Sequence, residues 1–231
     1  MKKLLLLTAI LIAGLILFSC SSSTKPDEDI EEHQDFEFID RDIEMCIVKY
    51  PDAEISSANL IVRKENHENV IIRIDGIEYE HSYIDEVGGA VWYHFILPCF
   101  ESGSTVQYEV EVDETHYSGS VIIPDTYEKD FPEFDVTQDL IMNWNMASNP
   151  MHQTVSYNIQ FVNVNEEVDF FGEIAPSART YTIPSSRFYE FEGSLRFVLV
   201  LTAFNAEYHG LDCCVKAGTS TNYVAYNYEV E

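Results

Sequence analysis

Along most of this chain, apolar and polar side chains alternate with a period of two, and no long segment repeats with the 3.6-residue period of an amphipathic helix. That pattern predicts half-buried strands. Val70, Ile72 and Ile74 alternate with Ile71, Arg73 and Asp75, and Asp75-Gly76 follows as a type I′ turn signal. Ile77, Tyr79, His81 and Tyr83 then alternate with Glu78, Glu80 and Ser82, which completes a predicted hairpin. Further runs cover 90–97, 106–112 and 117–123, the first closed by Pro98 and the last by Pro124. Ile43 to Val48 and Leu60 to Val62 precede them. Seven short strands in about 85 residues are enough for one β-sandwich.

A Pro-bounded, charged segment, Pro124 to Pro132, reads as a linker. Beyond it the alternation resumes. Leu140, Met142, Trp144 and Met146 share one face, and Val155, Tyr157, Ile159 and Phe161 another. Runs at 168–174, 179–183, 195–204 and 223–230 follow, and Pro184-Ser185-Ser186 opens a short helical turn. Each half has the size of one sandwich, and the abundance of Phe and Tyr supplies a core for each. A single larger sandwich across both halves is the alternative.

Two stretches carry a family resemblance. "DLIMNWN" resembles the second strand of fibronectin type III domains, which implies a core role for Trp144. "TYTIPSSRFYEFEGSLRFVLVLTAFN" resembles the E strand, E–F crossing and F strand of that fold, with Phe197 where the usual tyrosine would stand. In the first half, "VIIRIDGIEYE", "SGSTVQYEVEV" and "SGSVIIPD" resemble immunoglobulin-like domains of bacterial surface lipoproteins. A fold of this kind hosts many functions and implies none.

The front of the chain has a different character. Lys2 and Lys3 precede an apolar run from Leu4 to Phe18. As a helix that run would be ~22 Å long, short of the ~30 Å of a bilayer core, so it reads as a secretory signal. Leu17-Phe18-Ser19-Cys20 resembles the lipobox of bacterial lipoproteins. The resemblance implies cleavage before Cys20 and attachment of lipid to it. Two or more acyl chains anchor stably without a transmembrane helix. From Ser21 to Glu44 the chain is dense in Asp and Glu, with Lys25 and Arg41 as the opposing charges, and is expected to be a disordered, self-repelling tether. Its Ser-rich start is similar to the export signals of surface lipoproteins in Bacteroidetes-like bacteria.

The expected organisation is therefore all-β: two tandem antiparallel β-sandwiches, immunoglobulin-like and then fibronectin type III-like. The signal peptide would occupy 1–19, the lipid-anchored tether 20–40, the first sandwich 41–124, the linker 125–135 and the second sandwich 136–231. The expected location is the bacterial cell envelope, at the outer membrane, with the domains facing the periplasm or the cell surface.

Charge narrows the partners. With 13 Lys and Arg against 40 Asp and Glu, the formal net charge is −27. Losing residues 1–19, and with them Lys2 and Lys3, would make it −29. No basic cluster exists to meet phosphates, so nucleic acid is not an expected partner. The acidity raises the question of Ca²⁺, but no D-x-[DN]-x-[DN]-G loop is present. Cys46, Cys99, Cys213 and Cys214 have no zinc spacing, and no metal or cofactor is expected. Buried free thiols are the default reading, with Cys46–Cys99 as a possible pair. Cys213 and Cys214, being neighbours on an extended chain, must face opposite sides.

No G-x-S-x-G elbow, Walker loop or H-E-x-x-H is present; after His67-Glu68, Ile71 stands where the second histidine would be. Enzymatic activity is not expected. The candidate ligand contacts are instead aromatic: Trp92 in "GGAVWYHF", and Tyr223, Tyr226 and Tyr228 in "TNYVAYNYEV". Flat rings beside Asp, Asn and Glu can stack on CH-rich sugar faces, although the same residues also fill sandwich cores. The expected function is a lipid-anchored, non-catalytic interaction or scaffolding protein with an unknown protein or glycan partner. The alternative is a glycan-binding accessory lipoprotein.

Overall fold

The alternating segments become strands because each must bury one face while its backbone groups pair. A computed structural model describes residues 41–49, 55–63, 67, 69–161, 166–189 and 194–227. The expected signal peptide, Cys20, the tether and Tyr228 lie outside the described residues. In the first half come β1 (Ile43–Lys49), β2 (Ile55–Val62), β3 (Val70–Ile74), β4 (Ile77–Tyr79), β5 (Tyr83–Val87), β6 (Ala90–Pro98), β7 (Thr105–Val112) and β8 (Thr115–Ile122). In the second come β9 (Glu128–Asp130), β10 (Leu140–Asn145), β11 (His152–Phe161), β12 (Glu166–Ile174), β13 (Thr180–Ile183), the helical turn α1 (Ser186–Tyr189), β14 (Leu195–His209) and β15 (Cys213–Asn227). Among the described residues no helix is long and apolar enough to cross a membrane.

The expected all-β class is found, with two hydrophobic cores. A four-stranded sheet, β4-β3-β7-β8, covers the first core, and a three-stranded sheet, β13-β10-β9, covers the second. Both are closed on their other side by one continuous eight-stranded sheet, ordered β12-β11-β14-β15-β1-β2-β6-β5. Its centre is the long hairpin of β14 and β15, paired without a bulge from Leu195↔Asn227 to His209↔Cys213. Odd-numbered side chains of the hairpin therefore share one face. Phe197, Leu199 and Leu201 fill the second core, while Cys213, Val215 and Ala217 fill the first. β1 joins alongside β15 in parallel, from Ile43↔Cys213 to Lys49↔Thr219.

The structure differs from the sequence reading in four places. The run Ile77 to Tyr83 is not one strand. β4 ends at Tyr79, and after Glu80–Ser82 the chain enters the large sheet as β5, where the Ser82 amide and hydroxyl both donate to the His94 carbonyl. The linker expected at 125–135 contributes β9, which pairs with β10. β14 runs on to His209 and β15 begins at Cys213, so the hairpin extends into the first sandwich. Cys46 and Cys99 are both free. Cys46 lies buried opposite Asn59, and Asn59 lies opposite His94, five residues before the exposed Cys99, so a whole strand separates the two sulfurs. Cys213 and Cys214 face opposite sides of the sheet, as an extended chain requires.

Other local expectations are met. Asp75 (φ +51) and Gly76 (φ +77) form the β3–β4 turn. Trp144 is core, 4% exposed, with Tyr127 edge-on at 6.3 Å. Phe197, fully buried, is ringed by Phe134, Phe188, Tyr157 and Tyr223, with ring centres 5.6, 5.5, 6.0 and 6.1 Å away respectively.

One polar joint fastens the hairpin to the smaller sheet of the first sandwich. Tyr108 on β7 donates to Glu207 Oε2 at 2.8 Å, and the Ser120 amide on β8 donates to the same oxygen at 2.7 Å. His209 Nε2 stands 2.6 Å from the Tyr108 hydroxyl. The carboxylate lies over Gly119, where any Cβ would collide with it. Burial, then the Glu207 hydrogen bond, hold the Tyr108 hydroxyl far above its usual range.

Because both cores are built on β14 and β15, unfolding should be one cooperative event. Phe197→Ala should destabilise the protein by about 3–5 kcal/mol. In urea, probes in either core should shift to the same lower midpoint; two separate transitions would show that the sandwiches unfold independently.

Candidate functional site

The large sheet has a second face, opposite the two cores. On β6, Tyr93, Phe95 and Leu97 point into the first core, so Trp92, His94 and Ile96 point to this far face. Gly88 and Gly89, at φ +63 and +81, form a two-residue turn that sets Val87 opposite Ala90. The register that follows places Tyr83 opposite His94 and Asp85 opposite Trp92. The Tyr83 and His94 rings stack at 4.0 Å and 11°. His94 and Trp92 continue the row at 6.4 Å and 20°.

His94 is held from beneath. Its Nδ1 lies 2.8 Å from Oδ1 of Asn59, a buried residue of β2. An amide oxygen only accepts, so Nδ1 carries the proton. Burial pushes the imidazole below its ordinary value, against a smaller upward pull from Asp85. At neutral pH the row is therefore an uncharged tyrosine, imidazole and indole, with Asp85 beside it and the Asn59 amide buried beneath. Such a surface can stack on an apolar ligand face and hydrogen-bond its rim. It contains no activated nucleophile.

The aromatics picked out from sequence do not form one row. Trp92 is half-buried in the stack just described. Tyr223 faces the second core, edge-on to Phe131 at 5.7 Å, and its hydroxyl donates to the Pro132 carbonyl at 2.9 Å, which gives it a structural role. Tyr226 lies on the far face, 51% exposed, opposite Arg196. It stands at the end of the hairpin away from the residues that pair with β1, and the two faces of β15 keep it apart from Tyr223. Tyr83 and His94 were not singled out from sequence as ligand contacts. The available signal was Gly88-Gly89, whose turn fixes the register that brings both rings to Trp92.

A second polar group lies at the centre of the far face. Lys216 donates to Glu44 Oε1, and Arg63 Nη2 stands 3.7 Å from the other oxygen. Burial pulls the Lys216 ammonium down, but attraction to Glu44, their hydrogen bond and the nearby Cys46 and Cys214 together leave it raised. Burial pushes the thiols of Cys46 and Cys213 up to about 12 and that of Cys214 to about 11. All three are protonated at neutral pH and lack the thiolate that nucleophilic chemistry needs. Among the described residues no group of three or more His, Cys, Asp or Glu could hold a metal ion.

The environment of His94 gives a pH dependence of definite sign. Its folded value is below that of the unfolded chain, so the unfolded chain takes up the proton first. Its contribution to stability is retained above pH ~6.5 and lost as pH falls through that value towards the folded one. His94→Gln should flatten the fall in unfolding free energy between pH 7.5 and 5.5, measured in urea. An unaltered slope would exclude His94 as its source.

No known family matches this chain, and no curated protein matches it. Among solved structures, it is similar to a chimeric titin Z1Z2–Z1Z2 tandem functionalised with an exogenous GRGDS peptide from fibronectin. The identity is 12%, over 78% of this chain and 95% of that one, with a TM-score of 0.21. The architecture described above rests on the chain's own strand ladders.

Proposed function

We propose that this chain is a lipid-anchored, non-catalytic protein of the bacterial envelope, held at the outer membrane by Cys20. Its immunoglobulin-like and fibronectin type III-like sandwiches form an interaction or scaffolding body. The observation that carries this reading is the shared sheet. A hairpin of two 15-residue strands, with β1 added in parallel, makes one body of two cores and leaves little freedom between them. A body of that kind suits presentation of fixed surfaces at a distance from a membrane. The acidic segment that follows Cys20 is proposed to serve as the tether. The partner is a protein or a glycan rather than nucleic acid, because the net charge of −27 repels phosphates.

Anchoring is tested at its named atom. Cells fed a radioactive fatty acid should label the wild-type protein and not the Cys20→Ala variant; equal labelling of both would remove Cys20 as the site. The interaction reading is tested by photo-crosslinking in living cells from positions spread over the sandwiches. It predicts a discrete crosslinked partner, and the absence of any adduct from every position would overturn it.

A second reading, a glycan-binding accessory lipoprotein, is favoured by the Tyr83–His94–Trp92 row with Asp85 beside it. It predicts retardation of the protein in gels containing a soluble polysaccharide, with loss of retardation in Tyr83→Ala. Equal mobility with and without every polysaccharide tried would end it.

A further inference from the structure

The two longest edges of the first sandwich are treated differently. In an antiparallel pair, alternate residues turn their amide and carbonyl away from the partner strand. On β8, the outward groups include the Ser120 amide and the Ile122 carbonyl. Both are occupied: Glu207 accepts from Ser120 at 2.7 Å, and Asn205 Nδ2 donates to the Ile122 carbonyl at 2.8 Å. Side chains of the hairpin thus cap that edge.

β5, the end strand of the large sheet, has no such cap among the described residues. The two-residue turn at Gly88-Gly89 makes Val87 and Ala90 a hydrogen-bonded pair, so Ile84 and Glu86 direct their backbone groups outward. All five residues of β5 are exposed, including Ile84 at 48% and Val87 at 52%. Tyr83–Val87 carries no lysine or proline, and its only charges are the acids Asp85 and Glu86. An uncapped edge with exposed apolar side chains is a template for a further strand.

Charge chooses the occupant. Asp85 and Glu86 are adjacent, so they project to opposite faces of the sheet. A second copy of this chain pairing through β5 would bring like carboxylates together, which is unfavourable. We propose that β5 receives an extended segment of a partner protein as a ninth strand, and that this segment carries two consecutive basic residues flanked by β-branched ones. One base meets Asp85 on the far face and the next meets Glu86 on the other. This inference rests on the interaction reading and gives it an address.

The probe is a synthetic peptide, Val-Thr-Lys-Arg-Val-Thr-Val, with Val-Thr-Glu-Glu-Val-Thr-Val as its control, both added to the full chain. The basic peptide should slow hydrogen exchange at the Ile84 and Glu86 amides, and salt should weaken its binding. Asp85→Lys combined with Glu86→Lys should weaken it by roughly tenfold or more. Ile84→Pro removes an outward amide without touching the β6 ladder, and should abolish binding while the amides of β6 stay protected. Equal binding of the acidic peptide, or binding that leaves Ile84 and Glu86 exchanging freely, overturns the proposal. So does concentration-dependent protection of these amides without peptide, which would make a second copy the occupant. If the peptide fails while crosslinks in cells still capture a partner elsewhere, the edge is excluded and the interaction reading stands.

Discussion

The ladder between β14 and β15 is the element on which everything else depends. Fifteen residue pairs in one register give a ribbon long enough to serve two cores at once. Each core then needs only a small second sheet, of four strands in one case and three in the other. A one-residue slip would turn Phe197, Leu199 and Leu201 out of the second core and Val215 out of the first, so both cores enforce the same register. The joint of Glu207, Tyr108 and Ser120 works in the same direction from the tip of the ribbon. It also explains Gly119, where a Cβ would collide with the Glu207 carboxylate.

β1 adds a second constraint. It lies between β15 and β2, parallel to one and antiparallel to the other. On its core face are Ile43, Met45 and Ile47; on the far face are Glu44, Cys46 and Val48, all buried. With both faces apolar in part, hydrophobic pattern alone distinguishes the two faces weakly. Glu44 resolves the choice, because its carboxylate meets Lys216 only when it points to the far face. Misplaced by one residue, it would enter an apolar core with no counter-charge, at a cost far above the value of the pair itself.

In the two small sheets, β3, β7, β8, β10 and β13 were legible in the sequence because the apolar and polar side chains alternate cleanly. Asp75-Gly76 and the Leu140–Met146 run are examples. By contrast β9, exposed throughout, reads as a linker and β4 reads as part of a longer strand. The long hairpin was not legible as such. Asn205 and Ala206 interrupt the apolar pattern of β14, and Cys213 to Ala217 is buried on both faces, so it shows no alternation. Gly210, at φ +62 between the two strands, was the local clue to the turn. The parallel pairing of β1 with β15 has no local signature at all, since nothing near either strand encodes a partner so distant in sequence. At the aromatic row, Trp92 was visible from composition. Its neighbours Tyr83 and His94 are visible only through the register of the β5–β6 hairpin, because the alternation merges Tyr83 with β4.

The parallel seating of β1 also bears on how the chain reaches its native state. The first sandwich takes one of its central strands from Ile43–Lys49 and that strand's neighbour from Cys213–Asn227, far apart in sequence. No local hairpin can bring them together, so the entropy of closing the long segment between β1 and β15 must be met before the ladder forms. Hairpins such as β3–β4 and β7–β8 can assemble early from local contacts, but they remain an open half-shell until β15 arrives. A chain made from its N-terminus therefore holds its first sandwich unfinished until β15 has been made. During that interval the apolar faces of β1 and β2 are the surfaces most in need of protection from other chains.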